Sequence, residues 1–209
     1  EKESVKTEAT RGEAIKARIV TAAKKRFSHF GYGKTTMAEV AADCDMSPGN
    51  LYRFFPGKLD IAEAIATADF EHQLIDMRKL AQQPGKSARE RLSDLLFDRL
   101  RYTYTRLEKD PRVFEMARVI AAERPMFGNW MLEQERRILV GILEDGEARG
   151  EFGNADKMFV AEMIQSATMK FRYPQLWSKL TLPRLERELE GVLGLLVSGL
   201  ATKRRAATA

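Results

Sequence analysis

The stretch that most constrains this chain is residues 36–58, TMAEVAADCDMSPGNLYRFFPGK, because it carries two helix-start signals separated only by a short turn. Thr36 is followed three residues later by Glu39, the spacing of a capping box in which each residue takes up the other's orphan backbone donor. Met37, Val40, Ala41 and Cys44 are spaced as one buried helical stripe. Asp43-Cys44-Asp45-Met46 then closes a turn, with Asp45 where a left-handed backbone is expected; Asp tolerates that better than most non-glycine residues. Ser47 is placed to cap a second helix, and Pro48 takes its first position, where a missing N–H costs nothing. Leu51, Phe54 and Phe55 turn inward, which leaves Pro48, Gly49, Asn50, Tyr52 and Arg53 on or near the outside. The pattern is a helix-turn-helix. Its second helix offers amide, phenol and guanidinium groups of the kind that suit base edges and phosphates.

Around that motif, Gly31-Tyr32-Gly33-Lys34-Thr35-Thr36, then Val40-Ala41, then the run from Met46 to Phe55, then Lys58-Leu59, resembles the DNA-binding domain of TetR-family transcriptional regulators. The resemblance covers about the first third of the chain, and the remainder resembles the family only in its all-helical layout. Where the family usually has Ala-Gly, this chain has Cys44-Asp45, which keeps the same physical requirement of a small side chain followed by left-handed tolerance. The expected fold is all-α with about nine helices: an N-terminal arm and three-helix DNA-binding domain over residues 1–58, then a larger helical ligand-binding and dimerisation domain over 59–209. The resemblance implies a repressor, released from a palindromic operator by a small-molecule effector, and a homodimer paired through its last two helices. Operator dyad symmetry follows from such a dimer.

The DNA-contact expectations attach to particular residues. Thr36 and Ser47, each at a helix N-terminus, can combine a hydroxyl with free backbone N–H groups to hold a phosphate, although plain capping explains both without DNA. Pro48 and Gly49 allow close approach to the groove, with Pro48 against a thymine methyl; Asn50 suits adenine and Arg53 suits guanine. Tyr52 and Lys58 resemble the family's phosphate-contacting tyrosine and lysine. The bland alternative for Tyr52 is core packing, but Leu51, Phe54 and Phe55 already supply that face.

Located charge agrees with this. Residues 14–58 hold eight Lys or Arg (Lys16, Arg18, Lys24, Lys25, Arg26, Lys34, Arg53, Lys58) against Glu39, Asp43 and Asp45, a net of +5 equal to that of the whole chain. Such concentration on the motif-bearing segment is the footprint of a polyanion-binding domain.

Along the chain, one helix is expected over 13–30, with Ile15, Ile19, Ala22, Phe27 and Phe30 inward and Gly31 as its stop. A long helix over 58–82 links the motif to the larger domain, Gln83-Pro84-Gly85-Lys86 breaks it, and Ser87 with Glu90 forms another capping box for a helix to about 109. Asp110-Pro111 restarts a short helix, Arg124-Pro125 ends it, and 126–144 makes the next; residues 145–153 are expected as a glycine-rich connection. Two more helices are expected over 156–172 and 182–200. The second of these is apolar around much of its girth, with Gly191, Gly194, Ser198 and Gly199 permitting close backbone approach, and Ala201 onward, with Lys203-Arg204-Arg205, reads as a frayed tail.

Phe97, Tyr104, Met116, Trp130, Met131, Met163 and Phe171 are the candidate lining of an effector pocket, with Met126, Phe127 and Trp177 as further aromatic and thioether supply. Arg101, Glu115, Arg118 and Glu123 are the charged residues available to orient a polar ligand. No cofactor, metal or catalytic residue is expected: two histidines and one cysteine are too scattered for a zinc site, and Cys44 falls on an inward stripe as a small apolar residue. A single cysteine and the lack of any membrane-length apolar run fit the cytoplasm. The chain opens on Glu1 instead of Met, the expectation being an extreme N-terminal segment that is missing or processed. Rival readings are an activator or ligand-independent regulator, a helical enzyme with convergent residues unseen in sequence, and an interaction module whose helix-turn-helix only packs.

Overall fold

In a computed structural model, which describes residues 2–109, 112–173, 176, 177 and 180–200, the described chain forms nine α-helices and one 3₁₀ turn. The helices are α1 (Lys2–Phe30), α2 (Met37–Asp43), α3 (Pro48–Tyr52), α4 (Lys58–Ala81), α5 (Ala88–Lys109), α6 (Arg112–Glu123), α7 (Pro125–Ala148), α8 (Lys157–Ala167) and α9 (Leu182–Leu200). The 3₁₀ turn, Met169–Arg172, lies between α8 and α9. No described helix is long and apolar enough to cross a membrane. The all-α expectation holds, with the helix-turn-helix at the N-terminal end. The tail from Ala201 and the Asp110-Pro111 junction lie outside the described residues.

The chain divides into two compact units, and the division is discontinuous in sequence. One unit takes the chain up to Glu71 together with α6 and the start of α7 to Gly128; the other takes His72 to Lys109 and everything from Asn129. The first unit therefore extends beyond residue 58 and borrows a helix from the middle of the chain. Its core joins Ile19, Ala23 and Phe27 of α1 to Val40, Ala41 and Cys44, to Leu51 and Phe55, to Ile61, Ala62 and Ile65 of α4, and to Met116 and Ile120 of α6. Met116 thus belongs to the core of the helix-turn-helix unit. Burial drives this placement, since Met116 and Ile120, one helical turn apart, are 7% and 3% exposed.

Three helix boundaries also differ from the expectation. Helix α1 starts at Lys2, ahead of residue 13, so the segment anticipated as an arm is helical; its Lys- and Glu-rich composition has favourable helix propensity and no proline. The helix expected over 156–172 stops at Ala167, where the Thr168 hydroxyl donates to the Ile164 carbonyl at 2.7 Å and the chain tightens into the 3₁₀ turn. Asp156 does cap its start, accepting from the N–H groups of Met158 and Phe159 at 3.0 and 3.1 Å.

The third difference concerns the glycine-rich connection. Helix α7 runs on to Ala148, and only 149–153 remain as a loop. Gly146 is buried inside the helix because the Phe152 ring folds back over it: a Cβ at Gly146 would lie 2.2 Å from that ring and 2.9 Å from Ala88. The same loop supplies Glu151, whose carboxylate accepts from the N–H groups of Ala88 and Arg89 at 3.1 and 3.3 Å and so caps α5. In the second unit, Leu92, Leu95, Leu96 and Leu100 on α5, Leu139 and Ile142 on α7, and Leu185 and Leu189 on α9 are buried. Met163 is not: with Met158 and Phe159 it stands on the exposed side of α8, and Leu195 is exposed on α9.

Gly146→Ala is expected to destabilise the chain by about 1–3 kcal/mol through overpacking. Gly141→Ala, in the same helix with open space around the added methyl, is expected to stabilise by up to about 1 kcal/mol. Urea unfolding of the two variants beside the wild type checks both signs.

Candidate nucleic-acid interface

The helix-turn-helix is built on the turn that succeeds α1. Gly31 ends the helix with φ +91°, its N–H reaching the Phe27 carbonyl at 2.8 Å, and the buried Thr35 hydroxyl donates to the Gly31 carbonyl at 3.0 Å. Lys58, at the start of α4, sends its ammonium to the carbonyls of Tyr32 and Thr35, both at 2.8 Å, and sits 4.4 Å from the Tyr32 ring centroid. From α6, Glu115 accepts the Gly33 N–H at 3.0 Å, and Arg112 donates to the Ser28 carbonyl at 2.9 Å and to the His29 carbonyl. A cation at the C-terminal end of α1 also complements the helix dipole. Glu115, a possible ligand-orienting residue in the sequence, is a clamp on this turn. Its role was invisible in sequence because it acts on a backbone group 82 positions away.

Helix α2 begins at the expected capping box. Thr36 Oγ1 accepts the Glu39 N–H at 3.3 Å, while the Glu39 carboxylate takes both the Thr36 N–H and the Thr36 hydroxyl at 2.8 Å. Both Thr36 donors are therefore already given to a carboxylate, so a phosphate at Thr36 has to displace Glu39. The Thr36 hydrogen bonds hold the Glu39 carboxyl below its ordinary value, backbone first and side chain second, with a smaller contribution from Arg26. Asp45 adopts φ +53°, the left-handed turn expected of it. Ser47 caps α3 by accepting the Asn50 N–H at 3.3 Å, which leaves its own hydroxyl proton available.

Charge on this unit divides into groups paired within it and groups without a side-chain partner among the described residues. Arg26 forks onto Asp43 at 2.6 and 2.9 Å and reaches Glu39 at 3.3 Å, Lys24 pairs with Asp69, and Arg18 donates to the Cys44 carbonyl at 3.0 Å. With Lys58 turned to the backbone, half of the eight cations counted in sequence hold the unit together. Lys34 and Arg53 have no side-chain hydrogen bond or ion pair among the described residues.

Helix α3 buries Leu51 and, just beyond its end, Phe55, and exposes Pro48, Gly49, Tyr52 and Arg53; Asn50 is half-buried. Ser47, Pro48, Gly49, Asn50, Tyr52 and Arg53 are thus gathered on one short element, while Thr36 and Lys58 stand on the elements that brace it. Tyr52, 51% exposed, is not core. Gly49 has no internal justification: it is exposed, and nothing lies within 4 Å of where its Cβ would stand.

The candidate pocket residues of the second unit are less unified. Tyr104 stacks on Trp177 with centroids 5.8 Å apart, Trp177 donates to the Lys170 carbonyl at 2.7 Å, and Phe171 is buried on the 3₁₀ turn that packs against α5. Phe97 is half-buried under the Arg101 guanidinium, and Trp130 and Met131 are half-buried on α7. Burial pushes the Cys44 thiol up, the condition of an inert packing cysteine. Among the described residues, no three His, Cys, Asp or Glu side chains could jointly hold a metal ion.

Known proteins share this arrangement. Residues 19–65 match the family model described as bacterial regulatory proteins, tetR family, and residues 88–193, half of the chain, match that described as tetracyclin repressor-like, C-terminal domain. The transcriptional regulator UidR of Escherichia coli K12 is 33% identical over 70 residues, 34% of this chain and 36% of its own length, so this chain spans about a third of that relative. A TetR-family regulator from Mesorhizobium loti superposes with a TM-score of 0.69 at 15% identity, covering 92% of this chain and 99% of that one. Bacillus subtilis FadR, solved in complex with stearoyl-CoA, gives 0.62 at 20% identity, covering 88% and 98%. At such identities the likeness is one of fold.

The capping box has a pH signature. Because the folded Glu39 carboxyl lies below its unfolded value, its contribution is present above the ordinary carboxylate range and is lost as pH falls through the folded value. Melting temperature is expected to drop on acidification below about pH 5, and to drop less in Glu39→Gln than in the wild type. Parallel melts of the two proteins across that range check it; equal slopes would remove Glu39 as a source of the acid sensitivity.

Proposed function

The chain belongs to the TetR family of bacterial transcriptional regulators, and on that premise we propose that it is a homodimeric repressor that reads a palindromic operator with the outward side of α3 and leaves it when a small-molecule effector enters the larger unit. The observation that carries this is Gly49. Glycine costs up to about 1 kcal/mol relative to alanine in a helix interior and less in the first turn where Gly49 stands, and nothing within the fold requires it there. What requires it is an outside surface that comes within a methyl group of the backbone, as the floor of a major groove does.

Around Gly49 the roles come from chemistry. Arg53, exposed and uncommitted among the described residues, reads guanine by its fork, and Asn50 reads adenine. Pro48 meets a thymine methyl. Tyr52 and the Ser47 hydroxyl donate to phosphates, and Lys34 adds unpaired positive charge beside them. Lys58 keeps one ammonium proton beyond the two given to Tyr32 and Thr35, so it braces the turn and touches a phosphate with the third. Thr36 contributes chiefly by capping.

The homodimer reading is supported by the apolar exposure of Met158, Phe159 and Met163 on α8 and Leu195 on α9, beside open space at Gly191, Gly194 and Gly199. Such a regulator works in the cytoplasm, where bacterial DNA is. FadR carries its ligand, stearoyl-CoA, on the same fold, which supports a small-molecule effector for this chain. An effector in the larger unit reaches the DNA-reading unit through the chain itself: α4 runs from one unit into the other, and α6 belongs to the first although α5 and most of α7 belong to the second. DNA and effector then weaken each other by the same factor.

Selection of random duplex DNA by the purified protein, with the winner's affinity tracked against salt, tests the reading. An enriched inverted repeat whose log affinity falls steeply with log salt is expected; indifference to sequence would overturn it. Gly49→Ala is expected to keep or raise thermal stability while weakening the operator complex. Arg53→Ala should relax specificity at one base step, by about 1–3 kcal/mol. Lys58→Met should weaken all duplexes alike and lower the melting temperature as well.

A further inference from the structure

A buried polar network in the second unit is short of one acceptor. Arg99 on α5, Glu135 on α7 and Arg172 at the end of the 3₁₀ turn have side chains only 12%, 2% and 11% exposed. Arg172 takes both oxygens of Glu135 in a fork, Nη2 to Oε1 at 2.7 Å and Nη1 to Oε2. Arg99 gives Nη1 to the Gln73 side-chain carbonyl, but its Nε is shielded from solvent and has no hydrogen-bond partner; the nearest carboxylate oxygen, Glu135 Oε1, is 3.9 Å away. Tyr102 lies in the same network. Its hydroxyl receives Gln73 Nε2 at 3.0 Å and Arg106 Nη1 at 2.9 Å, which fills its lone pairs and leaves its own proton to be donated. The Gln73 oxygen and both Glu135 oxygens each already take a guanidinium N–H, and none of them is hydrogen-bonded to Arg99 Nε; the Tyr102 proton is given in neither of its two hydrogen bonds.

Charge balance agrees. Two buried guanidinium groups share one buried carboxylate, and Asp98, next in sequence to Arg99, is exposed. Burial pushes the Arg99 guanidinium down from its ordinary value; Glu135 holds it up and Arg172 pushes it further down. Arg99 is thus only partly paired, by its hydrogen bond to Gln73 and the Glu135 carboxylate 3.9 Å away, and a buried guanidinium left short of a partner is costly to the fold.

We propose that this cluster is the anion-binding end of the effector site: a monocarboxylate accepts from Arg99 Nε and Tyr102 O–H and completes the Arg99–Glu135–Arg172 charge balance. The inference rests on the effector reading above and names the ligand class. A single negative charge offsets the excess of one among the three buried charges of Arg99, Glu135 and Arg172.

The test is thermal melting of the full chain at fixed ionic strength, with chloride replaced in turn by acetate, hexanoate and benzoate, each paired with its neutral amide, and operator release read in parallel. At least one carboxylate is expected to raise the melting temperature saturably while its amide does not. Arg99→Met should weaken that carboxylate about tenfold, as loss of one charge-assisted hydrogen bond implies, and should melt no lower than the wild type without additive. Arg99→Lys, which keeps the charge without Nε, should fall between them. No carboxylate acting beyond chloride, or Arg99→Met retaining the full shift, would overturn the proposal. A wild-type shift lost in Arg99→Met but without operator release would uphold the anion site and overturn the effector reading. Operator release by an amide, unchanged in Arg99→Met, would uphold the effector reading and overturn the anion site.

Discussion

The DNA-reading half of this protein depends on how one five-residue turn is held. Residues 31–35 join α1 to α2, and a turn of that length has too few side chains to bury for its own stability. Charged groups from elsewhere hold it instead: Lys58 on the Tyr32 and Thr35 carbonyls, Glu115 on the Gly33 N–H, and Arg112 on the last carbonyls of α1. Hydrogen bonds to charged groups contribute about 1.5–3 kcal/mol each where solvent is excluded, and less at the exposed Glu115 and Arg112. Even at the low end their sum is enough to fix the angle at which α2 and α3 leave α1. That angle sets where Tyr52 and Arg53 point.

Local features of this arrangement were legible in the sequence and distant ones were not. Thr36 with Glu39, Ser47 with Pro48, Asp45 in the left-handed turn and Ser87 with Glu90 all act over three residues or fewer, so spacing alone reveals them. The unit in which Met116 packs was hidden for the opposite reason. An apolar residue at helical spacing announces burial but not in which core, and α6 packs in the unit its sequence neighbours do not join. Gly146 shows the same ambiguity in a glycine: composition suggests a loop, whereas the Phe152 ring makes it a packing requirement inside a helix. Net charge marked the segment only coarsely, because Arg26, Lys24, Arg18 and Lys58 are engaged by carboxylates and carbonyls of their own unit.

Arg99 and Glu135 left a signal that helical periodicity could have caught. Arg99 lies four residues beyond Leu95 and four before Thr103, both buried, and Glu135 lies three and four before Ile138 and Leu139. A charged residue on an otherwise apolar stripe is either paired or functional. Glu135 is paired. Arg99 is only partly so, which separates the member of the cluster that the fold satisfies from the one it leaves short of a partner.

The interleaving of the two units has a consequence for biosynthesis. The helix-turn-helix is complete in sequence by Lys58, yet its core is not closed until Met116 and Ile120 of α6 have been made. A ribosome adding about 5–20 residues per second therefore exposes α1 to α4 for some seconds with an apolar face uncovered. The first unit completes its core only with a helix encoded after α5, so its folding is not finished when its own motif has been made. Until the middle of the chain arrives, that apolar face of the first unit is open to capture by a chaperone, on the side away from the outward face of α3.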